Sequence, residues 1–123
     1  MDEVVQIAVD SSINGKNFKG YFYIDFVNAS IFDAAIKQKF LTKNKNFTQI
    51  NSDSLLAKDS IWLKYGILDK LLIRFKNVEM KNDTLIINVD NIKATDGSFG
   101  TKVRFIRDDT KYKFFDFRRT WIS

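Results

Sequence analysis

The sequence predicts an α+β fold in which N-terminal helices pack on a curved, four-stranded antiparallel meander. Three observations predict it. The second half is a series of β-branched and aromatic runs separated by short turn sequences. The first half carries apolar residues at helical spacing behind a capping sequence. Several of the later runs also change phase midway, as strands do when they bend.

Taken in order, "DEVVQIAVDSSING" admits two readings. Val5, Ala8, Val9 and Ser12 fit a helix ended by Gly15, while Val5, Ile7 and Val9 fit a strand entering an Asn14–Gly15 hairpin. "NFKGYFYIDF" is equally open, because Phe18, Phe22 and Phe26 share a face in either period. In "NASIFDAAIKQKFL" the residues Phe32, Ala35, Ile36 and Phe40 recur at helical spacing, with Ser30 as N-cap and Asp33 three residues on. This predicts a helix over Ile31–Leu41. "LTKNKNFTQINSD" reads as a polar loop, and "SIWLKYG" (Ser60–Gly66) as a short element bringing Trp62 and Tyr65 to the sheet.

The predicted strands are Leu71–Met80, Thr84–Thr95, Thr101–Arg107 and the closing "KYKFFDFRRTWIS". Asn82–Asp83, Asp96–Gly100 and Asp108–Thr110 supply the turns between them. In the first strand Leu71, Ile73 and Phe75 share a face, but Val78 and Met80 fall on the other. In the second, Leu85, Ile87 and Val89 agree, and Ile92 and Ala94 do not. Either a β-bulge restores the pattern, near Lys76–Asn77 and Asp90–Asn91, or the strand is covered on both faces. The last strand breaks phase at Phe114–Phe115 and sends Arg118 and Arg119 to opposite faces. It therefore reads as a bent core strand rather than a one-sided aromatic and basic strip. The organisation is one domain, with residues 1–67 mainly helical and residues 68–123 an antiparallel sheet.

A helix ending in "NGKNFKGYF", further short helices and a meander finishing in "YKFFDFRRTWIS" resemble the cystatin-like fold, in particular the nuclear-transport-factor-2-like superfamily. The resemblance implies that both ambiguous segments are helical. It also implies a scaffold or binding domain, extracytoplasmic and anchored in a bacterial envelope, of the kind found in secretion and conjugation assembly factors. Such domains bind partner proteins and self-associate through the sheet. A cytoplasmic location is the alternative. The start "MDEVV" is either natural or an initiator Met placed after a removed anchor or signal; any membrane attachment would come from such an anchor.

Composition limits the chemistry. The 123 residues include no Cys and no His. Disulfides, thiolate zinc sites, cysteine nucleophiles, Ser-His-Asp triads and imidazole proton shuttles are excluded. No cofactor or metal is expected: "DGSFG" lacks the phosphate-loop spacing, and Asp90, Asn91 and Asp96–Gly97 miss the calcium-loop spacing. Among the carboxylates, Asp108–Asp109 suit a turn and Asp116 suits an exposed pair with Arg118 or a neighbour. Asp25 sits among aromatics and would act as a general acid only if buried; otherwise it faces solvent or caps a backbone group. The sequence carries no catalytic constellation.

The net charge of +5 is partly an effect of a Lys-, Ile-, Phe- and Asn-rich composition, with 15, 14, 12 and 10 of each. Its distribution is more telling. Residues 1–60 hold 7 basic and 7 acidic side chains, whereas residues 61–123 hold 13 and 8. This asymmetry predicts one positive surface. Three readings follow. The first is a non-enzymatic domain engaging a protein partner or itself. The second is a small-ligand cavity between helix and sheet, lined by Trp62, Tyr65, Phe105 and Trp121. The third is a site for an anion or single-stranded nucleic acid on a basic sheet face bearing Lys102, Arg104, Lys113 and Arg118, though no known nucleic-acid motif is present.

Overall fold

The computed structural model describes residues 2–13, 21–26, 28–50, 71–92 and 99–122. The elements are α1 (Asp2–Ile13), β1 (Phe22–Asp25), α2 (Ala34–Lys43), β2 (Phe47–Gln49), β3 (Leu71–Lys81), β4 (Thr84–Ile92), β5 (Phe99–Asp108) and β6 (Lys111–Ile122). All strands form a single sheet in the order β2-β1-β3-β4-β5-β6. β3 to β6 are antiparallel, but β1 is parallel to both β2 and β3. The sheet is thus six-stranded and mixed, which corrects the expected four-stranded antiparallel meander.

The correction originates in residues 21–50. β1, α2 and β2 form a small βαβ unit, the crossover that a parallel pair requires. Phe22 and Phe47 face each other in register and stack, with centroids 4.7 Å apart. Phe40 of α2 closes edge-on against Phe47 and Phe26. The segment expected as helix by resemblance is therefore a strand at Phe22–Asp25, and the expected polar loop contains β2. A strand of three or four residues shows too little of its period to be read from sequence.

α1 is the helical alternative of its two readings. Val4, Val5, Ala8, Val9, Ser11 and Ser12 are buried, a stripe lying against β4, β5 and β6. α2 begins three residues later than expected. Its N-cap is Asp33, whose Oδ1 accepts from the Ile36 amide at 2.9 Å. Ser30 does not cap it, because the chain turns before it through Ala29 N–H to Phe26 O and Phe32 N–H to Ala29 O bonds. That turn sends Phe32 into the core, edge-on to Phe75.

Register and burial separate two sheet faces. The inner face carries Ile24, Ile73, Phe75, Leu85, Ile87, Val89, Val103 and Phe105, all buried beneath the helices. β3 keeps its apolar residues there through a bulge: Phe75 opposes Val89 and Asn77 opposes Asn88, leaving Lys76 extra, as expected from the phase change. No register shift falls at Asp90–Asn91. Ile92 instead faces outward and packs on Leu72, which is fully buried with Tyr23 and Ile50 around it. Both explanations of a phase change thus occur, one in each strand.

β6 contains two further bulges. Arg104 opposes Asp116 while Phe105 opposes Phe114, so Phe115 is extra; Gly100 opposes Trp121 while Thr101 opposes Arg119, so Thr120 is extra. The first bulge keeps Phe114 and Phe117 together on the inner face. The second sends Trp121 to the outer face, although Arg119 two residues before it lies on the inner one. β6 is the outermost strand on its side of the sheet, and bulges of this kind blunt an edge.

Candidate functional site

The outer face of β3–β6 is built from rows of side chains that the register sets side by side. One row holds Asn77, Asn88, Lys102 and Arg118. The next, toward the Ile92 end of β4, holds Arg74, Asp90, Gly100 and Trp121. On the other side lie Glu79, Ile86, Arg104 and Asp116. A pocket of about 360 Å³ in this face is lined by Lys76, Asn77, Asn88, Asp90, Lys102, Thr120 and Trp121.

Trp121 crosses β5 to reach this pocket. Its indole Nε1 donates to Asp90 Oδ1 at 3.1 Å, two strands away. The crossing requires Gly100: a Cβ there would lie 2.2 Å from the Trp121 Nε1 and 2.4 Å from its Cδ1. The residue expected in a turn is therefore a strand glycine whose missing side chain is the space the indole occupies. Beside it, the Asn88 Nδ2 donates to the Asn77 Oδ1 at 2.6 Å. That bond leaves the Asn88 carbonyl oxygen as an acceptor and the Asn77 amide as a donor.

The basic residues expected on this face are treated in two ways. Arg104 forms a two-armed pair with Asp116, its Nε donating to Oδ1 at 2.6 Å and its Nη2 to Oδ2. These hydrogen bonds hold the Asp116 carboxyl below the usual carboxylate range. The Arg104 guanidinium also lies 5.0 Å from the ring centre of the extra residue Phe115. Lys113 pairs with Asp108 at 2.6 Å and lowers the Asp108 carboxyl in the same way. Lys102 and Arg118 differ. They stand directly opposite each other across β5 and β6, and neither forms an ion pair among the described residues.

Arg119 points to the inner face, as expected from its separation from Arg118. It lies 4.2 Å from the Phe99 ring centre, and its Nη1 donates to the Ser11 carbonyl at 3.1 Å and to Thr101 Oγ1. Asn91 Nδ2 reaches the next carbonyl, Ser12 O, at 3.3 Å. α1 has no basic residue in its last turn, so the sheet supplies the cation and donors that its C-terminal carbonyls require. Burial pushes the Arg119 guanidinium down from its usual value.

The two described residues of the expected cavity do not converge. Phe105 is fully buried on the inner face, whereas Trp121 lines the outer pocket, so the sheet separates them. Trp62 and Tyr65 lie outside the described residues. Asp25 is 1% exposed, which removes the solvent-facing one of its expected places; it stands opposite Arg74 in register. Among the described residues no three His, Cys, Asp or Glu side chains gather as a metal site, and no helix is long and apolar enough to cross a membrane.

Sequence reasoning selected Lys102, Arg118 and Trp121, but assigned them to two separate sites. It missed Lys76, Asn77, Asn88, Asp90 and Thr120, whose convergence depends on bulges and register. A signal existed in Gly100, an isolated glycine beside a predicted strand. No family model matches the chain, and no curated protein or solved structure matches it either.

Proposed function

We propose that this chain is a non-enzymatic binding domain that takes an anion on the outer face of its sheet. One observation carries the reading. The neighbouring basic residues Arg104 and Lys113 are matched by the chain's own carboxylates, yet Lys102 and Arg118 face each other without an ion pair among the described residues, Arg118 acting on the Asp116 carboxylate only at longer range. Like charges directly opposite across an antiparallel pair weaken the ladder. An anion held between them relieves the repulsion and replaces the missing carboxylate.

A second reading, docking of an acidic protein surface on the same cations, is supported by the apolar surface beside them. Phe115 is 56% exposed and Ile106 37%, both lying beyond the Arg104–Asp116 row that borders these cations. In that reading the domain is a scaffold, and its partner contributes carboxylates to Lys102 and Arg118.

The test is retention on an immobilised polyanion across a salt gradient, with urea unfolding of the same samples. Lys102→Gln combined with Arg118→Gln is expected to elute at much lower salt than wild type, since binding through charge is screened. The same variant should unfold at equal or higher urea at low ionic strength, because it removes a repulsion. Unchanged retention would refute the proposal. Retention of a polyglutamate peptide in preference to other polyanions would favour the acidic-protein reading.

A further inference from the structure

We infer that the anion is the phosphate of a nucleotide unit, whose base lies against Trp121 in the adjoining pocket. This deepens the anion-binding proposal and rests on it. The pocket volume, 360 Å³, falls within the range of small-molecule sites and exceeds what a bare inorganic anion fills. Its lining is also divided. At one end is the Trp121 indole, fixed by Asp90 and seated on Gly100. At the other is Lys102, with Arg118 beside it across the strand pair.

The Asp90 carboxylate decides the orientation. It repels a phosphate from the indole end and accepts hydrogen bonds from amino groups there, so a neutral ring belongs at that end. The phosphate then lies by the cations. Lys102 follows Gly100 by two residues along β5, a step of roughly 7 Å, which suits the base-to-phosphate reach of one nucleotide. Sequence-tolerant base binding uses an aromatic platform combined with basic residues along the backbone.

The amide pair adds the polar complement. With Asn88 Nδ2 committed to Asn77 Oδ1, the two side chains still offer an acceptor and a donor at one wall of the pocket. Asparagine amides pair in this donor–acceptor manner with base edges. A carboxylate side chain of a protein would satisfy Lys102 and Arg118 but leave the indole and both amides without complementary partners. Lys76, the extra residue of the β3 bulge, adds a third cation at the rim.

The ligand could be a free nucleotide or one unit of a single strand, and the experiment separates these sources. Calorimetric titrations of the 123-residue chain use adenosine monophosphate, single-stranded oligonucleotides of increasing length, ribose 5-phosphate and adenosine. The nucleotide is expected to bind about tenfold more tightly than ribose 5-phosphate, reflecting the base–aromatic contact. Trp121→Leu should remove about tenfold of that affinity. Lys102→Gln with Arg118→Gln should abolish both nucleotide binding and polyanion retention. Oligonucleotide affinity rising with length identifies a strand as the source; equal affinity for the mononucleotide identifies the free form. Circular dichroism checks that each variant is folded. A wild type that binds ribose 5-phosphate as well as adenosine monophosphate overturns this inference while the anion reading stands. Polyanion retention independent of Lys102 and Arg118 removes both.

Discussion

Replacing Gly100 by Ala tests how the sheet positions Trp121. The glycine does not have a left-handed backbone, so the cost of a side chain there comes from space alone. The new methyl would meet the indole at 2.2 and 2.4 Å and the Thr120 Oγ1 at 2.7 Å, distances that require movement. Thr120 can rotate its hydroxyl away, but the indole must leave β5 and give up its bond to Asp90. A hydrogen bond to a charged group contributes about 1.5–3 kcal/mol, and less when it is only partly buried. Alanine returns roughly 0.5–1 kcal/mol through its lower conformational freedom in a strand. The expected net loss is thus about 1–2 kcal/mol, or roughly 4–10 °C in Tm for a domain of this size. Urea unfolding of Gly100→Ala, Trp121→Ala and the double variant measures it. In the Trp121→Ala background the Gly100→Ala substitution should cost nothing or stabilise, because its obstacle is gone. An equal cost in both backgrounds would refute the crossing of β5 by the indole.

Two other perturbations follow from the charges. Arg119→Met keeps an unbranched apolar stem but removes the donors to Ser11 O and Thr101 and the cation over Phe99. It should cost about 1–3 kcal/mol in urea unfolding, with hydrogen exchange fastest in the last turn of α1. Acid should destabilise the fold through Asp2, Asp108 and Asp116, whose carboxyls are held low by hydrogen bonds from Lys39, Lys113 and Arg104. Their contribution is complete above the unfolded carboxyl value of about 3.9 and is lost as pH falls through the lower folded values. Asp116→Asn should therefore flatten the fall in urea midpoint below about pH 4, and an unchanged slope would argue against the pair with Arg104.

What the sequence made legible was the long strands. β3 to β6 each carry nine or more residues, enough for the period of two and its interruptions to show. The interruption near Lys76 is a bulge and that after Val89 is two-sided cover, two causes that give the same sequence pattern. The short parallel strands stayed hidden for a different reason. Phe22, Phe26 and Phe47 owe their burial to one another and to α2, and that grouping depends on the crossover rather than on local periodicity. The α2 start shifted because the chain turns once more before it, leaving Asp33 to do the capping.

The terminal strand shows how far a phase argument reaches. A single break at Phe114–Phe115 correctly separates Arg118 from Arg119 by simple alternation. It cannot locate Trp121, because a second bulge at Thr120 reverses the phase again. With one bulge only, Trp121 would lie inside beside Phe117, and the pocket would lose its ring. With two, the indole emerges on the same face as Lys102 and Arg118, while Arg119 stays inside to hold the end of α1. The two adjacent arginines consequently serve different ends: Arg119 ties helix to sheet, and Arg118, with no ion pair among the described residues, stands beside the pocket. The bulges that blunt the β6 edge also bring a ring and two cations to one outer surface. The position of a residue in this strand, rather than its type alone, decides whether it stabilises the core or serves the proposed site.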